Sequence, residues 1–207
     1  MTGLREIQRQ RVHEAISTAA IALFLERGFD EVPVTEIAAA AGVSKPTLFK
    51  YFPTKEDLVL HRIADHQGEA ARVVRGREPG ERPLEALRHH FLDGLARRDP
   101  VTGLNDHPEV VAYHRMVFST PSLAARLFQH MSQDEQALAE ALAEITDELT
   151  AGLVAGQVLA TQRVLARRNW AMLAEGRPMA EVEREAITAT ERAFSLLPVF
   201  TPREQPV

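Results

Sequence analysis

Apolar residues recur along most of this chain at the spacing of one face of an α-helix. Near the start they fall at Ile7, Val12, Ile16, Ala19, Ala20, Leu23 and Phe24. That spacing matches a helical period near 3.6 residues, and Gly28 follows as a residue suited to a helix C-cap. The pattern predicts a first helix over residues 7–25 that ends at Gly28.

Shorter apolar repeats follow, separated by glycine and proline. They predict helices over residues 35–41 and 44–51 and a longer helix from residue 55 to about residue 74. Helices below about 12–15 residues are marginal in water, so the two short ones must pack on longer neighbours. Residues 75–83 contain two glycines, two prolines and no large apolar side chain, which makes them a candidate domain boundary.

The second half of the chain has the same helical pattern. Helices are predicted near residues 84–97, 108–118, 122–149, 152–175 and 179–196. The breaks between them are predicted at residues 100–108, at Pro121, at residues 150–152 and at residues 176–178. The predicted fold class is therefore all-α.

Composition supports this class. Of 207 residues, 45% are hydrophobic and 6% aromatic, which favours a globular core of helices over sheets rich in aromatic and β-branched residues. The chain has no cysteine, which excludes disulfides, a thiol nucleophile and cysteine-ligated metals. Charges interrupt every apolar stretch before the roughly 18 residues that a membrane span needs. Residues 1–10 lack the apolar segment of a secretory signal, so the expected location is the cytoplasm.

Net charge by itself does not indicate a nucleic-acid ligand. With 24 basic and 29 acidic residues the formal charge is 24 − 29 = −5, whereas nucleic-acid-binding domains are commonly basic. A local exception lies at residues 42–55, which contain Lys45, Lys50 and Lys55 and no carboxylate. A nucleic-acid function must therefore come from this segment.

Residues 35–52 have the pattern of a helix-turn-helix. Gly42 can adopt the left-handed conformation that a sharp reversal needs, and Val43 can fill the angle between the two helices. Ser44 suits the N-cap of the second helix, where Pro46 is tolerated in the first turn. The side chains expected to face inward are Ile37, Ala38, Ala41, Leu48 and Phe52.

The outer side of the second helix carries the candidate DNA contacts, because its amino-terminal end enters the major groove in this motif. The candidates for reading bases are Lys45, Pro46, Thr47 and Lys50. Lys45 can donate to guanine, and Thr47 can touch a thymine methyl or a base edge. The candidates for phosphate contacts are Ser44, Lys50, Tyr51 and Lys55, the last expected at the head of the next helix. The alternative is an ordinary turn between two short helices with solvated lysines.

A longer pattern surrounds this segment, from about Arg11 to Val59, a quarter of the chain. It consists of Ala19-Ala20, Leu23-Phe24, Gly28-Phe29, Val34-Thr35-Glu36-Ile37-Ala38, Ala41-Gly42-Val43-Ser44 and the run from Thr47 to Leu58. This pattern resembles the TetR family of bacterial transcriptional regulators. The resemblance implies an amino-terminal three-helix DNA-binding unit, a variable helical carboxy-terminal domain that binds a small effector, and a homodimer formed by the last two long helices.

Two departures from the family pattern affect single contacts. Pro33 stands where the family usually has threonine, so a helix cap and a phosphate contact are missing, and Thr35 is the candidate substitute. Phe49 lacks the tyrosine hydroxyl common at its position, which leaves Tyr51 as the hydroxyl donor. We place the helix-turn-helix DNA-binding domain at residues 1–55 and the effector-binding and dimerisation domain at residues 56–207.

The carboxy-terminal half offers apolar stripes that either line an effector cavity or simply form core. The candidate effector residues are Leu87, Phe91, Val110, His114, Phe118, Leu127, Met131 and Trp170. His114 is either a polar group that orients an effector or a histidine satisfied within the core. No pair among the eight histidines has the spacing of a metal motif such as His-Glu-x-x-His, so no metal or other cofactor is expected.

These features favour a dimeric regulator that binds a near-palindromic DNA operator, represses transcription and is released by a small-molecule effector. The alternative is a helical adaptor that retains the helix-turn-helix only as scaffold. An enzyme is not expected, because the sequence has no cysteine nucleophile, no Gly-x-Ser-x-Gly and no phosphate-binding glycine loop.

Overall fold

The structure is a computed structural model that describes residues 3–64 and 66–198. These residues form ten α-helices and one 3-10 helix and contain no strand, which confirms the all-α class. The first five helices are α1 (Leu4–Arg27), α2 (Val34–Ala40), α3 (Lys45–Tyr51), α4 (Asp57–Ala64) and α5 (Glu69–Gly76). The others are α6 (Pro83–Ala96), α7 (Pro108–Ser119), α8 (Pro121–Ala143), α9 (Glu148–Ala174) and α10 (Met179–Ser195), with the 3-10 helix at Pro100–Thr102.

The chain divides into two compact units. The first comprises Met1–Asp65 and Ala112–Leu127, and the second comprises His66–Val111 and Phe128–Val207. Every helix within the described ranges is too short or too polar to traverse a lipid bilayer.

The core of the first unit contains side chains from each of the helices α1, α2, α3 and α4. Phe24, Leu48 and Phe52 are almost completely buried in it. Tyr113 of α7 also packs there, and its hydroxyl donates a hydrogen bond of 2.8 Å to the carbonyl of Val59. Burial raises the pKa of Tyr113 well above its usual value, so its hydroxyl stays protonated and keeps this hydrogen bond.

The end of α1 follows the sequence pattern. Gly28 has a φ of 92°, and its N–H donates to the carbonyl of Phe24 at 2.9 Å. A residue with a side chain would be strained at this φ, so the glycine both closes the helix and lets the chain turn away. The predicted C-cap at Gly28 is confirmed.

The single helix predicted from residue 55 to about residue 74 is wrong. The structure has α4 and α5 in its place, with residues 66–68 in a turn between them. Gly68 has a φ of 70°, outside the helical region, and its N–H donates to the Asp134 carboxylate at 2.8 Å. This N–H is therefore lost from the helical ladder and satisfied by a side chain of α8. Lys55 does not head the following helix but precedes it by two residues.

The second unit buries aliphatic side chains of α6, α8, α9 and α10 around a common core. Its tightest backbone approach is at Gly103, which follows the 3-10 helix with a φ of 72°. A Cβ atom at this position would lie 1.9 Å from the carbonyl oxygen of Ala166 on α9. Beside it, the fully buried Asn169 donates a hydrogen bond of 3.0 Å to the carbonyl of Thr102. These contacts fix the 3-10 helix on α9.

The predicted helix over residues 122–149 and the break at residues 150–152 are also wrong. Helix α8 ends at Ala143, and α9 begins at Glu148 and runs through Thr150. The carboxylate of Asp147 accepts a hydrogen bond of 3.0 Å from the backbone N–H of Thr150 and so caps α9. Helix α8 ends six residues earlier and α9 begins four residues earlier than predicted, because an aspartate cap outweighs the threonine and glycine that follow it.

Candidate nucleic-acid interface

The turn between α2 and α3 has the geometry of a helix-turn-helix. Gly42 adopts a φ of 66° with open space around its α-carbon, as the sequence predicts. The next N–H, that of Val43, donates to the carbonyl of Ala38 at 2.9 Å. The Val43 side chain packs against the core of the first unit. The reversal therefore combines one left-handed residue with one apolar plug.

The start of α3 is fixed by a side-chain cap. Ser44 is extended, and its hydroxyl accepts a hydrogen bond of 3.2 Å from the backbone N–H of Thr47. Pro46 occupies the first turn, where its missing N–H leaves no donor unsatisfied. Leu48 is fully buried and anchors the inner face of the helix. These three predictions are confirmed.

The anchored inner face directs the amino-terminal end of α3 to solvent. Lys45 and Pro46 at this end are exposed, and so is Lys50 in the last turn of the helix. The Lys45 ammonium lies 5.9 Å from the ring centroid of Phe49, which is itself 36% exposed. A cation over an aromatic face is weakly attracted to it, so this contact can pre-orient the lysine without removing its donors. The exposed end of α3 thus presents a positive, donor-rich surface.

Thr47 has a role that the sequence analysis missed. Its hydroxyl lies 2.8 Å from the hydroxyl of Ser44, so the cap residue contacts both the backbone and the side chain of Thr47. Thr47 is half-buried rather than exposed. The three-residue spacing of two hydroxyl side chains at a helix start was the available signal.

Tyr51 and Lys55 also pack against their own unit. The Lys55 ammonium donates to the carbonyl of Asp30 at 3.3 Å and lies 4.7 Å from the ring centroid of Phe29. Tyr51 is half-buried, with its ring centroid 6.4 Å from that of His13. One of three ammonium donors of Lys55 is occupied by this contact. Both side chains brace the segment that leads from α3 to α4.

The start of α2 has no side-chain cap. Its N-cap residue is Pro33, and Thr35 lies within the first turn as an exposed side chain. Thr35 therefore does not replace the missing cap. The helix is instead supported by an ion pair between Glu36 in its first turn and Arg27 at the end of α1.

A second cap precedes α4 and was not predicted. The backbone N–H of Thr54 donates to the Asp57 carboxylate at 3.1 Å, and the N–H of Asp57 donates to the Thr54 hydroxyl at 3.2 Å. Arg126 of α8 pairs with the other oxygen of Asp57 at 3.0 Å. This reciprocal arrangement of hydroxyl and acid, three residues apart, is a known helix start signal. This cap fixes the segment of chain that connects α3 to α4.

The eight candidate effector residues are divided between the two units. Leu87 and Phe91 are buried in the core of the second unit. The other six candidates are half-buried. Three of them lie in the second unit, namely Val110, Met131 and Trp170, and three lie in the first unit, namely His114, Phe118 and Leu127. The indole N–H of Trp170 donates to the carbonyl of Val111 at 3.2 Å.

His114 is the one titratable group among them. Its ring stacks on that of Phe118 with centroids 5.9 Å apart. Burial lowers the pKa of His114 to about 4, so the ring is neutral near pH 7. A neutral imidazole can donate one hydrogen bond and accept another, which suits either role open to this residue. In the described part of the chain, no three histidine or carboxylate side chains are grouped to hold a metal ion.

The last two long helices carry large apolar side chains on the surface of the second unit. Four of them lie on α9 and α10, and one follows α10. They are Leu149, Leu153, Val164, Ile187 and Leu196, exposed by 44% to 76%. A set of this size on one pair of helices is typical of a surface that another protein covers.

The sequence is similar to known bacterial regulators. Residues 16–61 match the sequence model for bacterial regulatory proteins of the tetR family. The HTH-type transcriptional regulator TcmR of Streptomyces glaucescens is 31% identical to this chain over 138 residues, which are 66% of this chain and 61% of TcmR. The matched region thus spans less than two thirds of that relative's length.

The fold is similar to those of solved regulators over most of the chain. A TetR-family regulator from Streptomyces coelicolor A3 is 26% identical, with a TM-score of 0.57 over 90% of this chain and 96% of its own. The SmeT–triclosan complex is 16% identical, with a TM-score of 0.59 over 95% of this chain and 98% of its own. The helix-turn-helix geometry and the sequence match agree, so residues 16–61 form an amino-terminal domain of the TetR family of bacterial regulatory proteins, and the chain as a whole is similar in fold to a solved TetR-family regulator.

Proposed function

We propose that this protein is a sequence-specific DNA-binding transcriptional regulator of the cytoplasm. The observation that carries the proposal is the exposed amino-terminal end of α3, where Lys45 and Pro46 stand on a helix fixed by the Ser44 cap and the buried Leu48. A rigid helix with a free donor at this end has the form that enters a major groove and reads base edges. Residues 1–55 supply this activity.

The base and phosphate contacts divide along α3. Lys45 is the principal base reader, because its ammonium is exposed and can donate to the acceptors of guanine. Pro46 and Thr47 lie beside it, and Thr47, whose hydroxyl contacts that of Ser44, can offer its methyl group to a base. The phosphate contacts come from Thr35, Ser44, Lys50, Tyr51 and Lys55.

The protein acts as a homodimer formed through α9 and α10. The exposed apolar side chains of these helices, Leu153, Val164 and Ile187 among them, would be covered by the same helices of a second copy. A two-fold dimer presents two copies of α3 to the same DNA duplex. The operator is therefore near-palindromic, with half-sites separated by about one helical turn of DNA.

The function of residues 56–207, beyond dimerisation, is to bind a small-molecule effector that releases the repressor from DNA. The effector residues remain the eight predicted ones, with His114 as a neutral polar group and Trp170 as an aromatic wall. SmeT, a protein of this fold, is known in complex with triclosan. The effector must bind the released form more tightly than the DNA-bound form, since equal affinities would shift nothing.

The experiment that tests DNA binding is selection of sites from randomised duplexes, followed by affinity measurements at several salt concentrations. The proposal predicts a near-palindromic selected site and a log-linear loss of affinity with salt, about 0.9 in slope per phosphate neutralised. Lys45→Ala should weaken binding to the selected site by about 10-fold or more and leave dimer and fold intact. An adaptor that uses the helix-turn-helix only as scaffold would select no site and bind no duplex at low salt.

A further inference from the structure

The side of α1 that faces the core is apolar in one half of the helix and polar in the other half. In its carboxy-terminal half this side is apolar, with Ile16, Ala20 and Phe24 buried in the core of the first unit. In its amino-terminal half the same side carries Glu6 and Arg9, which are exposed. The first turns of α1 therefore extend past the core and turn a polar face toward solvent instead of packing it.

This polar face forms one wall of an open groove of about 1100 Å³ within the first unit. The other walls are the end of α3, with Lys50 and Tyr51, and the end of α4, with His61 and Arg62. Two of these residues, Lys50 and Tyr51, are already candidates for phosphate contacts. The groove is therefore continuous with the surface that α3 presents to DNA.

Aromatic and polar contacts hold the walls of the groove together. The ring of His13 on α1 stacks on that of Phe52, which follows α3, with centroids 4.5 Å apart. Across the floor, the Ser17 hydroxyl lies 2.7 Å from Nε2 of His61 on α4. These contacts join α1 to the ends of α3 and α4, so a ligand would find the groove already formed.

The charges of the groove favour an anion with several acceptor oxygens. Arg9, Lys50 and Arg62 form no ion pair with another residue of the described chain. Two carboxylates, Glu6 and Glu14, face them, and Gln10 donates to the Glu14 carboxylate at 3.1 Å. Counting lysine, arginine, aspartate and glutamate alone, the groove carries three positive and two negative charges, or +1, although the whole chain carries −5.

We propose that the amino-terminal half of α1 is a second DNA-contacting element, which binds backbone phosphates beside the bases read by α3. Arg9 and Arg62 contact these phosphates from α1 and α4, and Lys50 joins them from α3. Contacts of this kind set the position of a protein on the duplex without reading sequence. The inference rests on the proposed DNA-binding function and extends the interface from α3 to three helices.

The test measures the salt dependence of affinity for the selected operator with Arg9→Ala, Arg62→Ala and the control Arg97→Ala. Arg97 is an exposed arginine of the second unit that does not line the groove. Each groove substitution removes two phosphate contacts per dimer, so the slope of log affinity against log salt should become less steep by about 1.8. Between 50 and 200 mM salt, the loss of affinity should then be about 12-fold smaller than for the wild type. Arg97→Ala should keep the wild-type slope.

A variant of opposite sign completes the test. Glu6→Gln removes a carboxylate from the same groove and should tighten binding to any duplex, selected or not, at low salt. The inference is overturned if Arg9→Ala and Arg62→Ala keep the slope of Arg97→Ala and Glu6→Gln leaves the affinity unchanged. In that case the groove binds no DNA, while operator binding by α3 stands. If the wild-type protein binds no duplex at all, the proposed function and this inference fall together.

Discussion

Two junctions in this protein end one helix and begin another within about four residues, and they do so by different means. Between α2 and α3, Gly42 takes a left-handed conformation and Ser44 caps the next helix. Between α8 and α9, no residue has a positive φ, and the chain turns with Ile145 and Thr146 buried before Asp147 caps α9. The first junction is set by local backbone chemistry, and the second combines a local cap with burial against the rest of its unit.

The difference matters for function because the two junctions have different tasks. Under the proposed function, α3 reads bases and has no protein partner on its outer side, so residues close in sequence, here a glycine and a cap, must fix its start. The helix α9 is covered on its inner side by the core of the second unit, with Val154 and Val158 buried there. Tertiary packing can therefore determine where it begins.

The substitution that should destabilise the protein most is at Gly103, which lies close against the backbone of α9. Gly103→Ala places a methyl group against the carbonyl of Ala166 and forces a left-handed alanine. We expect a loss of about 3–5 kcal/mol in the free energy of unfolding, from backbone strain and overpacking together. Urea denaturation measures it.

The matched control is the glycine of the helix-turn-helix. Gly42→Ala meets no atom within 4 Å, so only the left-handed conformation is penalised, and the expected loss is about 1–2 kcal/mol. If the two variants lost the same free energy of unfolding, the packing of Gly103 against α9 would contribute nothing to stability. The claim that tertiary contacts control this part of the second unit would then be wrong.

A second effect concerns the pH dependence of the first unit. The pKa of His114 is lowered to about 4 in the folded protein, below the unfolded value of about 6.5. The unfolded chain therefore binds a proton first as the pH falls, so the stabilisation from the neutral ring is complete above pH 6.5 and is lost toward pH 4. The expected loss is about 2 kcal/mol between pH 7.5 and pH 5.

His114→Phe isolates this contribution, because phenylalanine keeps a ring against Phe118 and does not titrate in this range. Urea denaturation at the two pH values should show a weaker pH dependence in the variant than in the wild type, by about 2 kcal/mol. Parallel curves for the two proteins would mean that His114 is protonated in the folded state at pH 5, and the assignment of a buried neutral ring would be wrong.

The smallest effects compare the two helix caps directly. Ser44→Ala and Asp147→Ala each remove a side-chain acceptor from a helix start, and each should cost about 1 kcal/mol in the free energy of unfolding. Asp147→Asn retains an acceptor and should stay near the wild type. If Asp147→Ala were as stable as Asp147→Asn, the start of α9 would depend on burial alone.

The sequence predicted the helix-turn-helix well because its signals are local. Gly28, Gly42 and Ser44 each have a conformational or capping role that only a few residue types can fill, so the residue type reveals the structure. Leu48 follows from helical spacing in the same way. The resemblance to the TetR family rests on this same region.

The errors occurred where a distant contact decides the local structure. The break at Gly68 depends on a hydrogen bond to Asp134, 66 residues away in sequence. The early end of α8 is the exception, because it was missed for a local reason: the cap residue Asp147 competes with Thr150 and Gly152, which also suggest a break. The hydrogen bond from Lys55 to the carbonyl of Asp30 likewise could not be predicted from residue spacing. The spacing of apolar residues therefore predicts where helices occur, whereas contacts between helices help to determine where each helix ends.

Repeating the site selection with Lys45→Gln shows whether Lys45 at the start of α3 reads a base. Lysine favours the acceptors of guanine, whereas glutamine pairs with adenine. If Lys45 does so, one position in each half-site changes from guanine to adenine while the other positions and the half-site spacing are retained. If the variant and the wild type select the same operator, Lys45 does not read a base.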